Sequence, residues 1–222
     1  MLAEKINANF TTSLAEVKTD ADLYICAVKD DAIPLVIKSL QGVKGIVVHT
    51  AGSVDINIFD VKIQNYGVFY PLQTFSKDRD IDFQKIPIFL EANNSDNLFA
   101  LKTLAISLSN NLYEATSNQR KILHLSAVFS SNFVNHMYAL SEEIIEESGF
   151  EFEVLLPLID EVAAKVHYLK PQEAQTGPAV RYDKAIIDKH LNMLSKTGRN
   201  QQIYQILSES IHEMKKNIKN EF

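Results

Sequence analysis

Apolar and polar residues alternate in two different textures along this chain, and the change falls near residue 116. In the first part, short continuous apolar runs bounded by turn residues, Leu23 to Val28 (LYICAV) and Gly45 to His49 (GIVVH), read as strands buried on both faces of a parallel sheet. Between them Ile33, Val36, Ile37 and Leu40 have helical spacing. Pro34 lies near the start of that stretch and Gly42 just past its end, which completes a βαβ unit. Further strands are predicted at Gly67 to Tyr70, Pro87 to Glu91 and Asn111 to Glu114, giving a sheet with a mixed edge, and a helix is predicted from Ser95 to Ser109. A short strand is also predicted at Asn9 to Thr12. From Asn118 onward no strand-like run appears. Four helices are predicted there, roughly Asn118 to Ser148, Glu153 to Leu169, Pro178 to Ser195 and Asn200 to Asn220. The expected organisation is α/β over 1–116 followed by an all-helical domain over 117–222.

With 222 residues and 46% hydrophobic content the chain has ample material for a buried core. A net charge of -6 leaves no surplus of cations to displace counterions from a phosphate backbone, so nucleic acid is not an expected partner. The opening MLAEKINANF has no basic segment followed by an apolar core, and no apolar run approaches the ~18 residues that would span a bilayer. No membrane partner is expected, and the expected location is cytoplasmic. The lone Cys26 sits inside LYICAV and reads as a small buried hydrophobe. The histidines are scattered, with no HExxH and no carboxylate cluster at ligand spacing, so no metal site is expected.

A dinucleotide-binding sheet opens with a strand, a glycine-rich turn and a helix whose N-terminal amides hold the pyrophosphate. The glycines here, at 42, 45, 52, 67, 149, 177 and 198, never fall in GxGxxG. The chain begins instead with LAEKINA, which reads as the tail of a helix. On that pattern the α/β domain starts partway in.

Five segments together carry a family resemblance: AVKDDAIP (Ala27 to Pro34), VVHTAGSVD (Val47 to Asp55), GVFYPLQTFSKDRDIDF (Gly67 to Phe83), QRKILHLSAVFSSNFVNHMY (Gln119 to Tyr138) and EAQTGPAVRYD (Glu173 to Asp183). The chain resembles a family of Rossmann-like proteins with a helical domain of unknown function. These are labelled NADP oxidoreductases and are similar to pyrroline carboxylate reductases and other beta-hydroxyacid-dehydrogenase-like enzymes. The resemblance implies a truncated Rossmann-like, mostly parallel sheet followed by a helical domain like the C-terminal one of 6-phosphogluconate dehydrogenase. It implies reduction of a small carbonyl or imine compound in a cleft between the halves, and a homodimer formed through the helical domain. NADP is the implied cofactor, with NAD the alternative, and its binding is expected to need a preceding segment that carries the glycine-rich turn. A non-catalytic protein that keeps the fold and binds a metabolite is the reading from a different class.

Candidate site residues come from the strand ends, where open α/β sheets bind ligands. Ala27, Val28 and Lys29 end one strand, and by resemblance flank the cofactor ribose; Asp31 equally reads as a helix cap and Lys29 as solvated. His49, Thr50, Gly52 and Ser53 end the next, in a hydroxyl-rich turn whose glycine lets backbone approach a ligand closely. Gln73 and Thr74 come after a third strand, in the segment Tyr70 to Phe75, which resembles the one lying over the substrate in related enzymes and equally reads as a plain strand followed by a loop. In the long helix, His124, Val128, Ser131 and Asn135 fall on one face with Asn132 adjoining, while Ile122, Phe129, Phe133, Met137, Leu140 and Ile144 form a separate apolar stripe. Histidine exchanges protons near neutral pH and asparagine can hold a carbonyl oxygen, so His124, Asn132 and Asn135 are the catalytic candidates and Ser131 a substrate contact. The same residues also suit a polar seam between helices. Thr176, Gly177 and Pro178 read as a helix start attractive to an anion, with Arg181 one turn in, so an anionic substrate is one expectation; an ordinary cap with Arg181 paired to Asp183 is the other. The final helix carries apolar Ile203, Ile206, Leu207, Ile211, Met214 and Ile218, which suits packing within the chain or against a second copy.

Overall fold

The structure, a computed structural model, describes residues 2–59, 62–194 and 198–220. They fall into two compact units, Met1–Val134 and Asn135–Phe222. The expected change of texture at 116 marks where strands stop. The compact units divide later, because the helix that begins at Ser117 is tied into the first unit by hydrogen bonds to Glu91 and to the loop carrying Ala51.

The first unit holds a five-stranded sheet in the order β1-β2-β3-β4-β5, with β1 at Leu23–Cys26, β2 at Ile46–His49, β3 at Tyr66–Pro71, β4 at Ile88–Ala92 and β5 at Leu112–Glu114. β1, β2 and β3 are mutually parallel, β4 runs antiparallel to β3, and β5 is parallel to β4. Alternating residues feed two cores. On one side Tyr24, Cys26 and Val47 pack with Ile33, Ile37 and Leu40 from the helix Ile33–Ser39 and its end. On the other, Val48, Phe69, Ile88 and Leu90 pack against Leu101 and Ala105 of the helix Ser95–Leu108, whose start is capped by Asn94.

Two expectations for this unit are corrected. β1 is not buried on both faces: it is an edge strand, and Ile25, on the face away from Tyr24 and Cys26, is 52% exposed. Asn9 to Thr12 is not a strand. Thr11 Oγ1 accepts a bond from the Ser13 amide and donates to Glu16, and a single 3-10 turn, Leu14–Glu16, comes next; local side-chain bonds there replace ladder bonds.

The helix Ser117–Ala127 opens with a capping box: the Gln119 amide donates to Thr116 Oγ1 while the Thr116 amide donates to Gln119 Oε1. It continues through a π-helical stretch, Val128–Phe133, into the helix Val134–Glu146. In the first unit Ile122, Phe129 and Phe133 are exposed, so the apolar stripe expected of them faces outward there.

The second unit is helical throughout its described residues. After Val134–Glu146 come Leu156–Lys165, Pro171–Ala174, Pro178–Arg181, Lys184–Met193 and Gly198–Asn220. The single helix expected from Pro178 is two, because Tyr182 is left-handed (φ 52) and Asp183 caps a new start by accepting from the Ile186 amide; the expected end at Ser195 lies outside the described residues. Ala179 and Ile187 are buried, and the long final helix turns Ser208 inward while Ile206, Leu207 and Met214 remain exposed. The side chain of Ile218 lies outside the described residues. No described helix is long and apolar enough to cross a membrane.

Candidate functional site

The first unit has a cleft of about 590 Å³ beyond the carboxyl ends of its parallel strands. Asp30 lies after β1; Thr50, Ala51 and Gly52 lie after β2; Tyr70 ends β3 with Leu72, Gln73 and Thr74 after it; and Leu123, His124, Ser126, Ala127, Val128, Ser130, Ser131 and Asn132 form a helical wall. The size suits a small-molecule site, and the position is where parallel sheets place ligands.

Beneath this cleft lies a buried polar clamp. Arg120, 1% exposed, forms an ion pair with Glu91 at the end of β4. Its Nε donates to the Ala51 carbonyl at 3.3 Å, and its other nitrogens donate to the Val54 carbonyl and to Ser117 Oγ. Ser117 in turn donates backbone and hydroxyl to Glu91, at 3.0 and 2.8 Å, while its Oγ accepts from the Ile56 amide. One guanidinium thus fixes the loop after β2 and the start of the helix that carries His124.

Above the clamp, the Tyr70 hydroxyl lies 3.4 Å from His124 Nδ1. Both press on Gly52: a Cβ there would stand 2.7 Å from the Tyr70 Cζ and hydroxyl and 2.9 Å from His124 Cβ. The close approach of these two side chains therefore requires a glycine here. Burial, the largest influence, raises the Tyr70 pKa; Arg120 opposes this and Asp30 adds to it, so the phenol stays protonated at neutral pH. Asp30 accepts a hydrogen bond from Ser53, tying the turns after β1 and β2 together.

Sequence reasoning put Thr50, Gly52, Gln73, Thr74, His124, Ser131 and Asn132 at a site, and the structure gathers all seven on this cleft. Ala27, Val28 and Lys29 are exposed beside it without lining it, and Ser53 reaches it only through Asp30. His49 does not line the cleft. It is fully buried and stacked on Phe59, its Nδ1 accepts from the Ala51 amide, and burial first and Arg120 second push its pKa down to about 4. Asn135 falls in the second compact unit and does not line the cleft, while Ser130, Ser131 and Asn132 of the π stretch all reach it. Thr176 and Arg181 are exposed in the second unit, Thr176 ahead of a helix of only four residues and Arg181 at its end, and Asp183 caps the next helix instead of pairing with Arg181. Asp30 and Tyr70 lie in the marked segments Ala27 to Asp31 and Tyr70 to Phe75 but were not singled out from the sequence, and Arg120 was missed. Among the described residues no cluster of metal-ligating side chains occurs.

Fold and site together define a Rossmann-like protein of the dehydrogenase type, with a helical C-terminal half. Residues 86–211 match the family described as a domain of unknown function, DUF2520, and the chain belongs to that family, as its five segments implied. It is 50% identical to a Bacteroides fragilis protein described as a "putative NADP oxidoreductase", with a TM-score of 0.91, covering 96% of this chain and 83% of that one. A Thermotoga maritima protein is 23% identical over 91% of this chain and 82% of its own, with a TM-score of 0.78. An imine reductase from Myxococcus stipitatus in complex with NADP+ shares the fold, at 14% identity, a TM-score of 0.56, and coverage of 98% and 83%. No curated protein matches the chain.

Proposed function

We propose that the protein is an NADP-dependent oxidoreductase, with NAD the alternative cofactor, that reduces a small carbonyl or imine compound at the cleft beyond β1, β2 and β3. The observation that carries this reading is the Tyr70–His124 pair in a cleft walled by neutral hydrogen-bonding groups. The donor set suits a nicotinamide: Thr50, Gln73, Thr74 and Asn132 offer hydroxyls and amides to a carboxamide, without a charge that would oppose the oxidised ring. Ala27, Val28 and Lys29 flank this edge on the cofactor side. Likeness to the Bacteroides fragilis protein supports the same cofactor class.

Reducing C=O or C=N adds a hydride to carbon and a proton to the heteroatom. A bound nicotinamide supplies the hydride; the chain must supply the proton and hold the substrate. His124 is the proton donor. Tyr70, a phenol at neutral pH, bonds Nδ1 through its hydroxyl, so that as Nε2–H passes to the heteroatom the phenol's proton moves onto Nδ1, the ring stays neutral, and the phenol regains a proton from water. Asn132 and Ser131 hold the heteroatom that receives the proton. Arg120 acts through position alone, by anchoring the helix that presents these groups.

The protein works in the cytoplasm as a homodimer, with the second copy covering apolar helix faces. On and beside the helix Leu156–Lys165, Val154, Leu158, Val162 and Val166 form an exposed stripe at four-residue spacing, too apolar for a solvated face. Sedimentation would show a dimer that Leu158→Glu with Val162→Glu dissociates; a monomeric wild type would refute it. Calorimetric titration with NADPH and NADH tests the cofactor: tight binding of either supports the reading, and binding of neither removes it. A metabolite-binding protein without redox turnover is then the surviving alternative.

A further inference from the structure

The cleft carries formal charge of one sign. Among the described residues that line it, Asp30 is the single carboxylate and there is no lysine or arginine. Asp30 is exposed, and it enters no ion pair among the described residues. One of its oxygens accepts from Ser53, which aims the carboxylate without neutralising it. Its field reaches Tyr70, where it raises the phenol's pKa against the larger and opposite influence of Arg120 below the floor. Arg120 cannot serve as the opposing cation: it is sealed below the floor against Glu91, with its N–H groups directed at Ala51, Val54 and Ser117.

We propose that this cleft receives its substrate as a cation, an amine or a protonated imine whose N–H points at Asp30, and rejects carboxylates and phosphates of the same size. A carboxylate entering here would lose water with no cation to replace it and would meet the like charge of Asp30. A protonated imine gains a charge-assisted hydrogen bond at the same point, and its remaining polar atoms meet neutral partners such as Gln73 and Asn132. The inference rests on the cleft being the substrate site of the reaction proposed above. It moves the substrate toward the imine side of that reading and away from the anionic molecule that Arg181 suggested. In a protonated imine the proton is already on nitrogen, so hydride addition alone completes the reduction, and the His124 role applies to a neutral imine or carbonyl.

The test uses binding, not turnover. Three five-membered-ring probes are titrated into the protein: 2-methylpyrrolidine (a cation at pH 7), cyclopentanol (neutral) and cyclopentanecarboxylate (an anion). Backbone amide NMR shifts of Thr50, Gly52 and Asn132 are the readout. The expected result is saturable shifts with the cation, weaker ones with the alcohol and none with the anion. Asp30→Asn weakens the cation about fivefold, the scale of one partly solvated ion pair. Ser53→Ala, which removes the tether and keeps the charge, retains most of the binding. Equal or tighter binding of the anion, no shift with any probe, or a cation affinity unchanged in Asp30→Asn would overturn the proposal. If NADPH does not bind while the cation does, the redox reading fails and the cation site stands.

Discussion

Arg120 and Glu91 meet as a buried ion pair directly under the loop that floors the cleft, joining the helix Ser117–Ala127 to the end of β4. The pair is not a surface ornament. Its guanidinium also holds the carbonyls of Ala51 and Val54, so a single side chain sets where the turn after β2 sits.

Removing one partner leaves the other charged and buried. Arg120→Met is expected to cost about 3–5 kcal/mol and Glu91→Leu a similar amount, while the double apolar variant recovers much of the loss. Urea unfolding of the three variants checks this. Additive losses in the double variant would show that the two residues do not act as a unit.

His49 makes stability depend on pH in a stated direction. The unfolded ring takes up its proton near pH 6.5 and the folded one only near about 4, so above 6.5 both states are neutral and stability is at its full value. As pH falls from 6.5 toward 4 the unfolded state gains a proton that the folded state refuses. The loss reaches about 3 kcal/mol and then levels off. His49→Gln should flatten this part of the curve. A wild-type curve that is itself flat between pH 6.5 and 4.5 would contradict the assignment.

At Gly52 a methyl group has nowhere to go. Gly52→Ala is expected to lose about 1–3 kcal/mol by overpacking and to push Tyr70 and His124 apart. Gly198→Ala is the control, since nothing lies within 4 Å of a Cβ there. Denaturant midpoints for the pair should differ clearly, and equal midpoints would show that the close approach is absent.

If His124 donates the proton, His124→Gln lowers turnover by about 10²–10⁴-fold and leaves NADPH affinity and melting temperature nearly unchanged. Tyr70→Phe should have a smaller effect and alter the pH profile of turnover, because the tautomer is no longer held. A His124→Gln variant that melts early yet keeps its activity per folded molecule would reassign the ring to packing.

Cys26 is 3% exposed and burial raises its thiol to about 11. Aromatic disulfide reagents at pH 8 should label it only as fast as the protein unfolds. Immediate stoichiometric labelling would mean that the β1 side of the core is open.

Much of the fold was legible from residue order, and the parts that were not have physical reasons. GIVVH and the PIFLE run announced β2 and β4 because apolar runs between turn signals leave little else to form. Thr50, Gly52, Gln73 and Thr74 could be placed because strand ends are where parallel sheets bind. Tyr70 was marked only as part of the segment Tyr70 to Phe75, since a tyrosine ending an apolar strand looks like core, and its burial on the cleft wall shows that it is partly both. Arg120 drew no role, because an arginine on a helix is most often solvated. A signal was present in its helical spacing with Ser117, Leu123 and Ala127, which marks the inward face. β1 misled for the opposite reason: LYICAV is apolar on both faces, yet Ile25 has nothing over it.

The wider turn at Val128–Phe133 makes the helical wheel lose its place. Around its start and across it, neighbours in sequence address the same wall, Ser126 to Val128 and Ser130 to Asn132 all lining the cleft. Ser130, Ser131 and Asn132 can therefore be exchanged as a block, changing which hydrogen bonds the cleft offers without repositioning His124 or the clamp below it. Deleting one residue from this stretch would do the reverse. The helix would regularise as the extra residue of the wide turn is removed, and the hydrogen-bonding groups at Ser130, Ser131 and Asn132 would no longer keep their places on the cleft. Relatives that share the scaffold can thus differ in ligand through three adjacent codons.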